Sequence, residues 1–84
     1  MEPTETRVAL LSIIVNDMDQ TEELNRLLHA YRDYIIGRMG VPYPAKGISI
    51  ISIALDAPQD AISALSGKIG RLPGVTSKTT FSQY

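Results

Sequence analysis

Two short segments of this chain are apolar on both alternations, and this limits the fold more than any other feature. Arg7 to Val15 reads Arg-Val-Ala-Leu-Leu-Ser-Ile-Ile-Val, a β-branched run without Gly or Pro and too short for a typical helix. In a strand, Leu11, Ile13 and Val15 point one way and Val8, Leu10 and Ile14 the other. Ile48 to Leu55 repeats the pattern, with Ile51, Ile53 and Leu55 set against Ile48 and Ile50. A sheet covered on one side only alternates apolar with polar along each strand, and these two segments do not. A chain of 84 residues holds one core at most.

Between and after these runs the punctuation is regular. Asn16-Asp17-Met18-Asp19 breaks the first strand, and Asp19 with Glu22 three residues on resembles a capping box. Leu24, Leu27, Leu28 and Tyr31 then give one helix an apolar face. Ile35 to Val41 reads as a second strand whose Gly37 and Gly40 point to a bulge or a close backbone approach. Pro42 to Gly47 is a turn. Asp56 is placed to cap a second helix, with Pro58 in its first turn and Gln59 spaced to close the box; Ile62, Leu65, Ile69 and Leu72 form its stripe. Pro73-Gly74 stops that helix, and Val75 to Phe81 alternates as the last strand.

The order β-α-β-β-α-β, with right-handed crossovers, predicts an α+β fold of the ferredoxin-like kind: a four-stranded antiparallel sheet with two helices on one face. Residues 1–6 are expected to be a flexible N-terminal segment and residues 7–84 a single domain. Two short helices cover one face of such a sheet. The other would present an apolar patch of about several hundred square ångströms to water, more than a soluble monomer usually carries. A partner surface is the simplest cover, and a homo-oligomer, dimer or tetramer, is expected. The sequence leaves open which strand set faces the helices. With Leu11 and Ile51 packed inward, the interface residues are Val8, Leu10, Ile14, Ile48 and Ile50.

Composition narrows the chemistry. There is no cysteine, which removes disulfides, thiolate ligands, iron–sulfur ligation and a thiol nucleophile together. His29 is the one imidazole, and its helical neighbours Asn25, Arg26, Arg32 and Asp33 supply no strong second ligand, so no metal site is expected. Asp17, Asp19, Glu22 and Glu23 suit the dipole and caps of a helix start and match no calcium loop. Ser66-Gly67-Lys68 lacks the upstream glycine of a phosphate loop and lies inside the second helix, and no Gly-x-Ser-x-Gly elbow exists. No catalytic residue emerges, so the chain reads as a non-enzyme, and no cofactor is indicated. A net charge of −1, without a basic block, argues against direct nucleic-acid binding. The absence of an apolar run of ~18 residues and of a signal-like start argues for a cytoplasmic protein with no membrane partner.

One locus invites a ligand. The junction of the first strand and first helix, beside the second strand, would gather Asn16, Asp17, Gly37, Arg38 and Gly40: free helix-start N–H groups, two glycines and a fixed positive charge. These favour a small anion, although Arg38 between two glycines equally suits a subunit contact or a solvent-exposed edge.

Tyr34-Ile35-Ile36-Gly37-Arg38-Met39-Gly40-Val41-Pro42-Tyr43 followed by Lys46-Gly47-Ile48-Ser49-Ile50-Ile51-Ser52 resembles the family of regulators of the iron-only hydrogenase system. Asp56-Ala57-Pro58, Ile62 to Lys68 and Leu72-Pro73-Gly74-Val75 extend the resemblance over nearly all of Arg7 to Phe81. It implies a ferredoxin-like domain related to ACT domains and to the C-terminal domain of the nickel-responsive repressor. The chain lacks that repressor's nickel-site histidines and cysteine and its DNA-contacting segment. The expected function is a regulatory or sensory module that oligomerises and binds a small ligand or a protein partner. The alternative is a structural assembly domain without a ligand.

Overall fold

The computed structural model describes residues 5–83. Strand β1 (Arg7–Val15) leads through a 3-10 turn into helix α1 (Thr21–Ala30). A second such turn, Arg32–Tyr34, enters β2 (Ile35–Tyr43), a third, Pro44–Lys46, enters β3 (Ile48–Ala57), and α2 (Gln59–Gly70) precedes β4 (Val75–Phe81). The strands lie in the order β2-β3-β1-β4 and every neighbouring pair is antiparallel. The fold is therefore α+β and ferredoxin-like, with the two doubly apolar strands in the centre.

The helices settle which alternation faces inward. Ala9, Leu11, Ile13 and Val15 of β1 and Ile53, Leu55 and Ala57 of β3 are buried, and they share one core with Leu24 and Leu28 of α1 and Ile62, Leu65 and Ile69 of α2. Each fully buried Leu or Ile contributes about 1.5–3 kcal/mol relative to exposure. Val75 begins β4 on the same side at 6% exposure.

The helix starts differ from the sequence reading. Asp17, not Asp19, does the capping: its side chain accepts from the Asp19 N–H at 3.0 Å and closes the 3-10 turn Met18–Gln20 ahead of α1, whose own N-cap is Gln20 without a side-chain bond. Asp17 precedes the 3-10 turn and so occupies the capping position, and the three-residue spacing from Asp19 to Glu22 is not used. Likewise β3 runs on through Asp56 to Ala57, which takes Asp56 out of capping position. Pro58 becomes the N-cap, its carbonyl accepting from Ala61 and Ile62. Gln59 turns away to accept from Arg7 Nη1 at 3.1 Å.

Two glycines have positive φ. Gly47, at +65°, ends the turn before β3, and Gly74, at +70°, precedes β4. The irregularity expected around Gly37 is present as a register shift in the β2–β3 ladder between Ile35 and Gly37.

Candidate functional site

The uncovered face of the sheet is the largest feature the fold leaves unexplained, and strand register orders it in rows. Thr76, Ile14, Ile50 and Val41 stand side by side across β4, β1, β3 and β2. The next row is Lys78, Ser12, Ser52 and Met39, and the one after is Thr80, Leu10, Ala54 and Gly37. Ile48 pairs with Tyr43 at one end, and Val8 pairs with Asp56 at the other. The apolar bands thus run over β1, β3 and β2, while β4 lines one margin with Thr76, Lys78 and Thr80.

These side chains are open to solvent. Val8 and Leu10 are each 43% exposed, Ile50 37%, Val41 41%, Tyr43 45% and Met39 57%. Ile14 and Ile48 are partly buried by their neighbours within the face. All five residues expected at an interface, Val8, Leu10, Ile14, Ile48 and Ile50, lie together on this face. Met39, Val41 and Tyr43 extend it and were not anticipated. Their signal was an alternation with Arg38, Gly40 and Pro42, obscured by the glycines in between. A shallow hollow of about 290 Å³, where Gly37 and Ala54 supply little bulk, is edged by Leu10, Arg38, Met39 and Ser52.

The expected ligand locus is not brought together. Asn16 and Asp17 pack against the turn before β4: the Asn16 N–H donates to the Gly74 carbonyl at 2.7 Å. That is one edge of the sheet, and β2 is the other. Gly37, opposite Ala54, is on the open face, whereas Arg38, opposite Ile53, and Gly40, opposite Ile51, belong to the helix side. Counting two strand spacings and five positions along the strands, Arg38 is roughly 19 Å from Asn16. Arg38 instead reaches α1, where its Nη2 donates to Asn25 Oδ1 at 3.4 Å.

No group of three or more His, Cys, Asp or Glu side chains suited to a metal occurs among the described residues. No helix among them is long and apolar enough to cross a membrane. His29 lies on α1 next to the buried Leu28 and is itself exposed.

Comparison with known proteins places this geometry. A family model described as "TM1266-like: Iron-only hydrogenase system regulator, putative" matches residues 7–79. The solved structure of the uncharacterized protein TM1266 from Thermotoga maritima is 35% identical, covers 94% of this chain and 100% of its own, and superposes with a TM-score of 0.90. A formyltetrahydrofolate deformylase from Pseudomonas putida KT2440 has a TM-score of 0.67 at 16% identity over 92% of this chain and 29% of its own, which is a likeness of fold alone. No curated protein matches the chain. With a family model spanning residues 7–79 and a solved relative matched over its whole length, the chain belongs to the TM1266-like family.

Proposed function

We propose that this chain is a non-catalytic regulatory module of the iron-only hydrogenase system, working in the cytoplasm as a homo-oligomer whose subunits stack through the open sheet face. The observation that carries this reading is the pair of apolar bands over β1, β3 and β2, with Leu10, Val41, Met39 and Tyr43 each more than 40% exposed. Leaving such a contiguous face in water is costly, and soluble monomers rarely do so.

A second copy is the favoured occupant for three reasons. The face presents the same apolar bands on every copy, so a two-fold axis can bring like bands together in an isologous contact. Four strands about 4.8 Å apart and about 27 Å long give roughly 500–600 Å² per copy. Two copies would therefore bury about 1,000–1,200 Å², at the threshold of a specific interface. The charged side chains Lys78 and Asp56 stand at the margin and at one end of the face, where they can stay hydrated. The two apolar bands flank the central Ser12–Ser52 pair, whose hydroxyls can hydrogen-bond across an interface, and the charged groups stay at the rim, where association surfaces keep them.

The regulatory part of the reading follows the family description, and the net charge of −1 supports action through another protein or a ligand instead of direct DNA contact. The experiment is complementation. In a host lacking this gene, wild-type protein should restore the normal level of hydrogenase transcript and a Leu10→Asp protein should not. Restoration by a proven monomer would separate regulation from assembly. The alternative of a purely structural domain is supported if deletion leaves hydrogenase transcripts and activity unchanged.

A further inference from the structure

On the helix-covered side, α1 and the start of β2 flank a second recess, an open cleft of about 290 Å³ lined by Asn25, Leu28, His29, Arg32, Ile35 and Arg38. Sequence spacing and register build it from two directions. Asn25, Leu28, His29 and Arg32 follow at i, i+3, i+4 and i+7, so they share one face of α1 and the turn after it. On β2, Arg38 stands opposite Ile53 and so projects toward that same helix side. Leu28 is 1% exposed and Ile35 half-buried, which gives the cleft an apolar base beneath two guanidiniums, an imidazole and a carboxamide.

Each arginine makes one hydrogen bond within the protein and is not neutralised by a carboxylate. Arg38 donates to Asn25 Oδ1 at 3.4 Å, and Arg32 Nη1 donates to the His29 carbonyl at 2.9 Å. Neither forms an ion pair among the described residues, whereas Arg26 on the same helix is paired with Glu23. A guanidinium offers five N–H donors, so each arginine keeps most of its fork available. Two like charges facing one recess with no carboxylate in its lining repel each other, and an anion between them relieves that repulsion.

We propose that this cleft binds a small organic dicarboxylate, its carboxylates taken by Arg32 and Arg38 and its carbon chain resting on Leu28 and Ile35. Arginine recognises carboxylates through paired, charge-assisted N–H donors, which fixes the class of group. A cleft of about 290 Å³ has room for a compound of a few carbons with two carboxylates. Of the five residues that the sequence suggested for an anion, Arg38 alone belongs to this cleft, and its companions come from α1. Asn25, Leu28, His29, Arg32 and Ile35 lie away from the open face, whereas Arg38 also edges the hollow beside Leu10 and Met39, so Arg32→Ala is the variant that tests the cleft independently of self-assembly.

The test is a titration of full-length protein with succinate, followed by backbone amide shifts and by thermal stability, with sodium chloride matched for ionic strength as the reference. The expected result is saturable shifts at Asn25, His29 and Ile35, with a raised melting temperature that chloride does not reproduce. Arg38→Ala and Arg32→Ala should each weaken succinate by at least about tenfold, the scale of losing one charge-assisted contact. Arg71→Ala, which removes the same charge outside the cleft, should leave affinity unchanged. Inorganic phosphate, which has no carbon chain to rest on the base, should bind more weakly than succinate. The proposal is overturned if millimolar succinate leaves those amides unmoved, if chloride moves them equally, or if Arg71→Ala weakens binding as much as Arg38→Ala. Because both arginines are exposed, the variants should fold, and circular dichroism matching wild type confirms it.

Discussion

Gly74 and Asp17 stand back to back at the end of the sheet: a Cβ added to Gly74 would lie 2.7 Å from the Asp17 Cβ and 3.2 Å from its backbone nitrogen. The same glycine has φ of +70° and accepts the Asn16 N–H, so three demands meet at one residue. Gly74→Ala should therefore destabilise the protein by about 2–4 kcal/mol, the left-handed backbone cost plus the displacement of Asp17. Gly47 has φ of +65° with open space around it, so Gly47→Ala should cost only about 1–2 kcal/mol. Urea unfolding of both variants checks the ordering, and equal losses would show that the contact with Asp17 contributes nothing.

Asp17 also carries the cap that begins the helical segment. Asp17→Ala should lose about 0.5–2 kcal/mol, the usual value of an N-cap, while Asn at the same position retains most of it. Asp19→Ala and Asp56→Ala should each stay within about 0.5 kcal/mol of wild type, since neither side chain caps a helix. Chemical denaturation of the four proteins distinguishes this from the simple capping-box reading of the sequence.

That difference shows where the sequence is readable. Element order and the centrality of β1 and β3 follow from β-branched runs and turn residues, which act locally. The caps do not, because Asp17, Asp19 and Asp56 are equally good capping residues. The choice among them depends on where the strands stop, which is set by pairing across the sheet. The inward set was undecidable for a similar reason: Leu10 and Leu11 have the same affinity for a core until the helices dock. Arg38 was recognisable as a fixed charge between glycines, but its neighbours were not. Strand order puts Arg38 on the edge of the sheet away from Asn16, and its position opposite Ile53 turns it to the helix side, where it meets Asn25.

Arg7 makes a small strap across three elements. Its guanidinium carbon lies 4.4 Å from the Phe81 ring centroid, Nη1 donates to Gln59 and Nη2 to the Ser82 carbonyl at 3.3 Å. Arg7→Ala should cost about 1–2 kcal/mol, and Arg7→Lys should recover only part of it, because an ammonium cannot stack and span both acceptors at once. Thermal melts followed by circular dichroism provide the comparison, with equal stability of the Lys variant and wild type arguing against the planar strap.

The claim that the open face of the sheet is a subunit interface is tested most directly by light-scattering mass at micromolar concentration, measured for wild type, Leu10→Asp and Leu11→Asp. Leu10 is 43% exposed and Leu11 is 0% exposed, so adjacent residues report on opposite faces of one strand. Wild type should have a mass that is a multiple of 9.2 kDa, Leu10→Asp should be a folded 9.2 kDa monomer, and Leu11→Asp should fail to fold. A wild-type protein that runs as a single 9.2 kDa species, or a Leu10→Asp protein that assembles as wild type does, would contradict the account.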